Sequence, residues 1–120
     1  MILVDSSIWI NHLHRADARL NTLIDSRSVC MHSAVVGELM LGSLAKRRQS
    51  IADLLALPAI READPAETRL MIEIHQLHGR GVGYIDAQLL ASTLASGDRL
   101  WTADRRLAAV AEEVGVAYSL

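Results

Sequence analysis

The sequence predicts an α/β fold: a three-layer-like sandwich with a mainly parallel central sheet flanked by helices. Two observations carry this. Short apolar runs recur at Ile2-Leu3-Val4, Val29-Cys30-Met31 and, closing on a hydroxyl, Leu100-Trp101-Thr102. A strand covered on both faces reads as a continuous apolar run, the parallel-sheet pattern. Helix-length amphipathic segments separate these runs, and such alternation indicates a parallel sheet. The 120 residues suggest one domain, 1–120, with room for a real core.

The elements follow in order. Ile2–Val4 is the first strand. Ser7 can cap a helical turn through Ile8, Trp9, Ile10 and Leu13, and a second helix fits Ala16 to Ile24. Val29–Met31 is the second strand. Ser33 is a candidate N-cap for a helix running to about Leu44. A helix from about Gln49 to Leu57 stops at Pro58. Asp64-Pro65-Ala66-Glu67 is the strongest cap, with Pro65 in the first helical position and Glu67 placed to return a capping-box bond. That helix ends before the turn Gly79-Arg80-Gly81-Val82-Gly83. The next starts at Tyr84 or Ile85 and ends at Gly97. Leu100–Thr102 is a strand, Arg105 to Val114 a helix ended by Gly115, and Val116–Tyr118 a last short strand.

Composition bounds the function. Hydrophobic residues make up 51% of the chain, which excludes wholesale disorder. Twelve Lys and Arg against 14 Asp and Glu leave a formal charge of -2, so no global positive field advertises nucleic acid. Lys46 is the only lysine. Cys30 is the only cysteine, which excludes an internal disulfide and multi-cysteine metal sites. The N-terminus lacks the pattern of a signal peptide, and no run reaches the ~20 apolar residues of a membrane span. The expectation is a cytoplasmic protein without membrane attachment.

Four acids stand out from the surface carboxylates. Asp5 ends the first strand, where ligands bind in parallel α/β folds. Glu38 shares a helix face with Val35, Leu41 and Gly42, an apolar setting that is costly for an unpaired carboxylate. Asp86 opens a helix whose inward face reads Leu89, Leu90 and Leu94. Asp104 follows Leu100–Thr102. Each has an ordinary alternative: a helix cap for Asp5 and Asp104, a solvent-facing stripe edge for Glu38, a first-turn acid for Asp86. A parallel sheet can bring all four to one edge. Four ionised carboxylates need a counter-charge there, and all-oxygen ligands suit Mg²⁺, with Mn²⁺ as the alternative. Such a site fits phosphodiester hydrolysis.

The chain resembles the PIN-domain ribonucleases, specifically the toxin partners of bacterial VapBC-type toxin–antitoxin pairs. The resemblance rests on Ile2 to Ile10 with Asp5, on Val36-Gly37-Glu38-Leu39, on Asp86 to Ala91, and on Leu100 to Leu107 with Thr102 and Asp104. Many relatives carry an aromatic where this chain has Leu107. The resemblance implies a Mg²⁺- or Mn²⁺-dependent endoribonuclease, a homodimer, and inhibition by a small antitoxin protein bound near the active site. DNA binding would then belong to the toxin–antitoxin complex.

Further residues are candidates for support. Ser6 and Thr102 are placed to hydrogen-bond a ligand, water or phosphate. Arg80, Arg99, Arg105 and Arg106 offer forks for RNA phosphate or antitoxin; adjacent Arg105 and Arg106 cannot share one helix face. Met40, Leu41, Leu44, Ile51, Leu54 and Leu55 are candidates for a dimer seam or antitoxin groove. His75 and His78 have ligand-like spacing but no supporting motif, and the glycine-rich turn lacks the Gly-Lys-Ser/Thr of a phosphate loop. Trp9 and Trp101, among apolar neighbours, read as core or interface. Two rivals remain. A haloacid-dehalogenase-like phosphatase wants a second Asp where Ser7 stands. A non-cutting PIN-like scaffold would not need all four acids.

Overall fold

The computed structural model describes residues 1–119. Three strands form its sheet: β1 (Ile2–Val4), β2 (Val29–Cys30) and β3 (Arg99–Trp101). The order is β2-β1-β3, and both pairings are parallel. Ile2 pairs with Val29 on one side and Arg99 on the other; Leu3 pairs with Cys30 and Leu100. Single parallel bridges, Met31 to Ala59 and Leu100 to Ala117, extend the sheet at each edge. Central β1 is enclosed on both faces, so Leu3 and Val4 lose all solvent contact. That is the reason for its unbroken apolar run.

Among the described residues seven helices surround the sheet: α1 (Ser6–His14), α2 (Ala18–Asp25), α3 (Ser33–Met40), α4 (Arg47–Leu55), α5 (Pro65–Ile74), α6 (Tyr84–Ser96) and α7 (Arg105–Glu113). Their inward stripes join β1 in one core that includes Leu20, Val35, Leu39, Leu89, Leu90, Leu107 and Val110. Trp9 and Trp101 are both buried, and Arg19 lies 5.3 Å from the Trp101 ring centroid. The α/β sandwich with a parallel sheet is the observed architecture. No helix among the described residues is long and apolar enough to cross a membrane.

Several element ends differ from the sequence reading, for local reasons. Asp5, one step before Ser6, caps α1; its carboxylate accepts from the Ser6 backbone N–H. Asp17 caps α2 through the N–H groups of Arg19 and Leu20. His32 caps α3: its Nδ1 accepts from the Ala34 N–H at 3.0 Å, a role the sequence reading gave to Ser33. The same helix ends at Met40, short of Leu44. α4 begins at Arg47, after Lys46 takes the left-handed conformation at φ +47°, and ends two residues before Leu57. The Val116–Tyr118 strand is reduced to the Ala117 bridge. The Asp64–Glu67 capping box forms in both directions, at 2.7 and 3.2 Å.

Candidate active site

The site is built where parallel strands end. The Asp5 backbone N–H donates to the Trp101 carbonyl at 2.9 Å, which pins the residue after β1 to the end of β3. The Asp5 side chain is buried and receives three protein donors. Oδ1 accepts from the Ser6 N–H at 2.8 Å and meets Ser6 Oγ at 3.5 Å. Oδ2 accepts the hydroxyls of Thr102 at 2.8 Å and Ser7 at 2.9 Å. Asp5 is thus both a helix cap and a strand-end acid. With two hydroxyls filling Oδ2 and one short bond on Oδ1, Oδ1 keeps the more open lone pair.

The neighbouring acids hang on the same bonds. Glu38, exposed on α3, accepts the Ser6 hydroxyl at 2.9 Å. Ser6 therefore ties the start of α1 to α3. Exposure corrects the expectation of a Glu held on a buried stripe: α3 turns Glu38 outward while Val35, Val36 and Leu39 pack inward. Asp104 caps α7, accepting from the Leu107 N–H at 3.0 Å, and its own N–H donates to Thr102 Oγ1 at 3.1 Å. Asp86 sits half-buried in the first turn of α6. Burial raises its pKa above the ordinary 3.8; the charge of Asp5 adds to that, and Asp104 and Glu38 push the same way. The four acids thus share one electrostatic neighbourhood, although they come from four separate stretches of chain.

Ser7 is a residue of this site that sequence reasoning did not single out. Its hydroxyl donates to Asp5 Oδ2 and accepts the Ala103 N–H at 3.0 Å. It therefore ties the Asp5 carboxylate to the loop that carries Asp104. The signal was present in Asp5-Ser6-Ser7: once Asp5 takes the cap, the second serine is free to bond across to another strand end.

The arginines separate. Arg80 is engaged by Glu113 through two bonds of 2.6 and 2.8 Å, so its fork faces a carboxylate. Arg99 opens β3, at the opposite end of the strand from Asp104, and donates to the Gly115 carbonyl. Arg99 thus lies away from the strand ends that carry Asp5 and Asp104, while Arg80, in the turn before α6, is taken up by Glu113. Arg105 and Arg106 are exposed in the first turn of α7, next to Asp104. His75 and His78 are exposed on and after the end of α5. Cys30 is buried, and burial pushes its thiol up to about 11, so it is no nucleophile at neutral pH.

A groove of about 440 Å³ runs beside Glu38, lined by Ile10, Leu13, Leu39 and Leu44 among others. Leu41 is 90% exposed, Leu55 65% and Met40 39%. Leu44 and Ile51 are partly buried. Leu54 is buried in the core, which removes it from any surface seam.

The PIN-domain model matches residues 2–113, nearly the whole chain. The chain belongs to the PIN-domain family. Within that family it is 46% identical over 119 residues to ribonuclease VapC32 of Mycobacterium tuberculosis, in strains CDC 1551 and H37Rv. That match spans 98% of this chain and 95% of the relative, which places the protein with the VapC-type PIN domains. The crystal structure of PAE2754 from Pyrobaculum aerophilum superposes with a TM-score of 0.62 at 21% identity, covering 91% of this chain and 78% of that one. That likeness concerns the fold.

The donor set fits a hard divalent cation: carboxylate oxygens, with hydroxyls behind them and no soft ligand. Among the described residues, no three His, Cys, Asp or Glu side chains already meet at one metal-sized point. Binding would therefore draw the carboxylates inward against their mutual repulsion, which a cation relieves.

Proposed function

We propose that this PIN domain is a divalent-metal-dependent endoribonuclease, the toxin of a type II toxin–antitoxin pair, inhibited by a cognate small antitoxin protein. One observation carries the reading. Asp5, Glu38 and Asp104 are tied by shared hydrogen bonds through Ser6 and Thr102 beside Asp86, whose pKa is raised first by burial and then by the charges of Asp5, Asp104 and Glu38, an arrangement that invites a counter-charge. Asp5, Glu38, Asp86 and Asp104 would hold Mg²⁺ or Mn²⁺. When bound, such an ion offsets carboxylate charge, polarises a phosphate oxygen and lowers the pKa of water.

The chain's own residues supply the precision. Thr102 and Ser7 fix the Asp5 carboxylate through Oδ2 and leave Oδ1 with the less crowded lone pair. Ser6 holds Glu38 toward Asp5. Thr102 receives the Asp104 N–H and so keeps the fourth acid in register with the first. Positioning of this kind is worth much to catalysis, because errors on the order of 1 Å cost about a hundredfold in rate.

The family relationship supports RNA as substrate, and the VapC32 relatives support the toxin role. The apolar groove beside Glu38 supports an inhibitor segment lying next to the acids. The outward Leu41 and Leu55 side chains support a homodimer seam. The test compares wild type with Asp5→Asn on a panel of structured RNAs, with Mg²⁺, Mn²⁺ or EDTA. Internal cleavage that needs metal and disappears in the variant is expected. Cleavage that survives EDTA or the substitution contradicts the proposal, and binding without cleavage favours a scaffold.

A further inference from the structure

Gly81 adopts φ +76°, and a Cβ built on it would stand 2.6 Å from Arg106 Nη1 and 2.8 Å from Arg106 Cδ. Gly79 is also left-handed, but a Cβ there meets nothing within 4 Å. The backbone angle calls for glycine at Gly81, and the Arg106 side chain lies in the space a Cβ would take. The turn is fastened along α7 at a second point, because Arg80 pairs with Glu113. Arg106 and Glu113 are seven positions apart, about two helical turns, so they lie on one face of α7. Arg106 is the contact at the Asp104 end of that face.

The same turn leads into the acid-bearing helix. Gly83 precedes α6, and a Cβ there would lie 3.9 Å from Asp86 Oδ2. Gly81 is two residues earlier, a span of at most about 7 Å. The Arg106 guanidinium is thus held near the rim of the acid cluster, between the starts of α6 and α7. Arg80 faces Glu113 and Arg99 faces a carbonyl, whereas no carboxylate pairs with Arg106 among the described residues.

We infer that Arg106, seated on Gly81, is the arginine that grips an RNA phosphate at the mouth of the acid cluster. The inference rests on the endoribonuclease reading. An acid-lined site repels phosphate, so a cation at its rim must offset that repulsion. A guanidinium fork matches phosphate oxygens, and an arginine without a carboxylate partner keeps its fork available to them.

The test is fluorescence anisotropy of a labelled single-stranded RNA of mixed sequence over a salt series, in EDTA so that no strand is cut. Arg106→Ala weakens binding about tenfold and lowers the salt slope by about 0.7, the share of one phosphate contact on a single strand. Arg106→Lys recovers part of the affinity. Gly81→Ala mimics Arg106→Ala, and the double variant binds no more weakly than Arg106→Ala alone, because both changes remove one contact. Arg69→Ala, a charge lost from α5, leaves the slope unchanged. Urea melts confirm that each variant is folded; should Gly81→Ala fail to fold, the two Arg106 variants decide.

Unchanged affinity and slope in Arg106→Ala overturn the inference, as does a wild type that binds no RNA. Arg106-dependent binding by a wild type that cuts nothing with Mg²⁺ or Mn²⁺ supports the inference and overturns the nuclease reading. Metal-dependent cleavage combined with Arg106-independent binding does the reverse.

Discussion

Asp86 bears the cost of the site. A carboxylate whose pKa rises on folding holds its proton more tightly in the folded chain than in the unfolded one. Its contribution to stability is then intact below the ordinary 3.8 and is lost as pH climbs through the raised value. Asp86→Asn removes that loss. In EDTA the variant should resist urea better than wild type at neutral pH, with the advantage fading toward pH 3.8 and below. Equal urea midpoints at neutral pH would show that burial and Asp5 do not burden Asp86. Ser7 acts in the opposite sense, because its hydroxyl serves two strand ends. Ser7→Ala should cost about 1–3 kcal/mol in urea melts by leaving a buried acceptor and an N–H short of partners, and slow RNA cleavage about tenfold or more. A variant that melts and cleaves like wild type would remove Ser7 from the site. The acids were legible because each breaks a local pattern: a charge at a strand end, a Glu in an apolar stretch. Ser7 was not, because a serine in a helix's first turn breaks none. The Arg80–Glu113 pair was not legible, since nothing in their spacing shows that the glycine turn folds back onto α7.

Helix caps show what local sequence can and cannot say. Asp64-Pro65-Ala66-Glu67 is self-contained within four residues, so its capping box was readable without tertiary knowledge. The cap of α3 was not. His32 takes it because burial under the sheet edge keeps the imidazole neutral, with Nδ1 free to accept from Ala34. Ser33 instead donates its N–H and hydroxyl to Glu62, at 3.1 and 2.6 Å. The Glu62 carboxylate stands 3.6 Å from His32 Nε2, beyond hydrogen-bond range, and pulls the imidazole pKa upward. Burial pulls it down, and burial wins. For a base depressed on folding, the unfolded chain binds more protons, so stability falls as pH drops through 6.5. Since α3 carries Glu38, acid weakens an element that builds the site. Urea midpoints should decline from pH 7.5 to 5.5, about one unit either side of 6.5, and His32→Asn, which can cap without titrating, should flatten that decline. An unchanged slope in His32→Asn would assign the acid sensitivity elsewhere.

At the scale of the molecule, a three-stranded parallel sheet with single-bridge extensions brings two strand ends, the start of α6 and the C-terminal half of α3 into one neighbourhood. Alternating apolar runs and helices made that arrangement readable, because parallel order follows from crossover connections rather than from contacts between particular side chains. Which apolar side chains stay outside was less readable. Leu54 and Leu55 are adjacent, yet one packs in the core and the other is 65% exposed. Leu41, at 90% exposure, belongs to the proposed dimer seam. Sedimentation should show wild type as a dimer and Leu41→Glu shifted toward monomer; a monomeric wild type would discard the seam.

The central claim is that four carboxylates from separate stretches of chain form one divalent-cation site. Titration with Mn²⁺, followed by electron paramagnetic resonance of the free ion, tests it without reference to any RNA. Saturable binding is predicted for wild type, weakened about tenfold or more by Asp5→Asn and by Asp86→Asn separately, and unaffected by Glu73→Gln, an exposed acid of α5. Equal Mn²⁺ binding by wild type and both site variants would contradict the account.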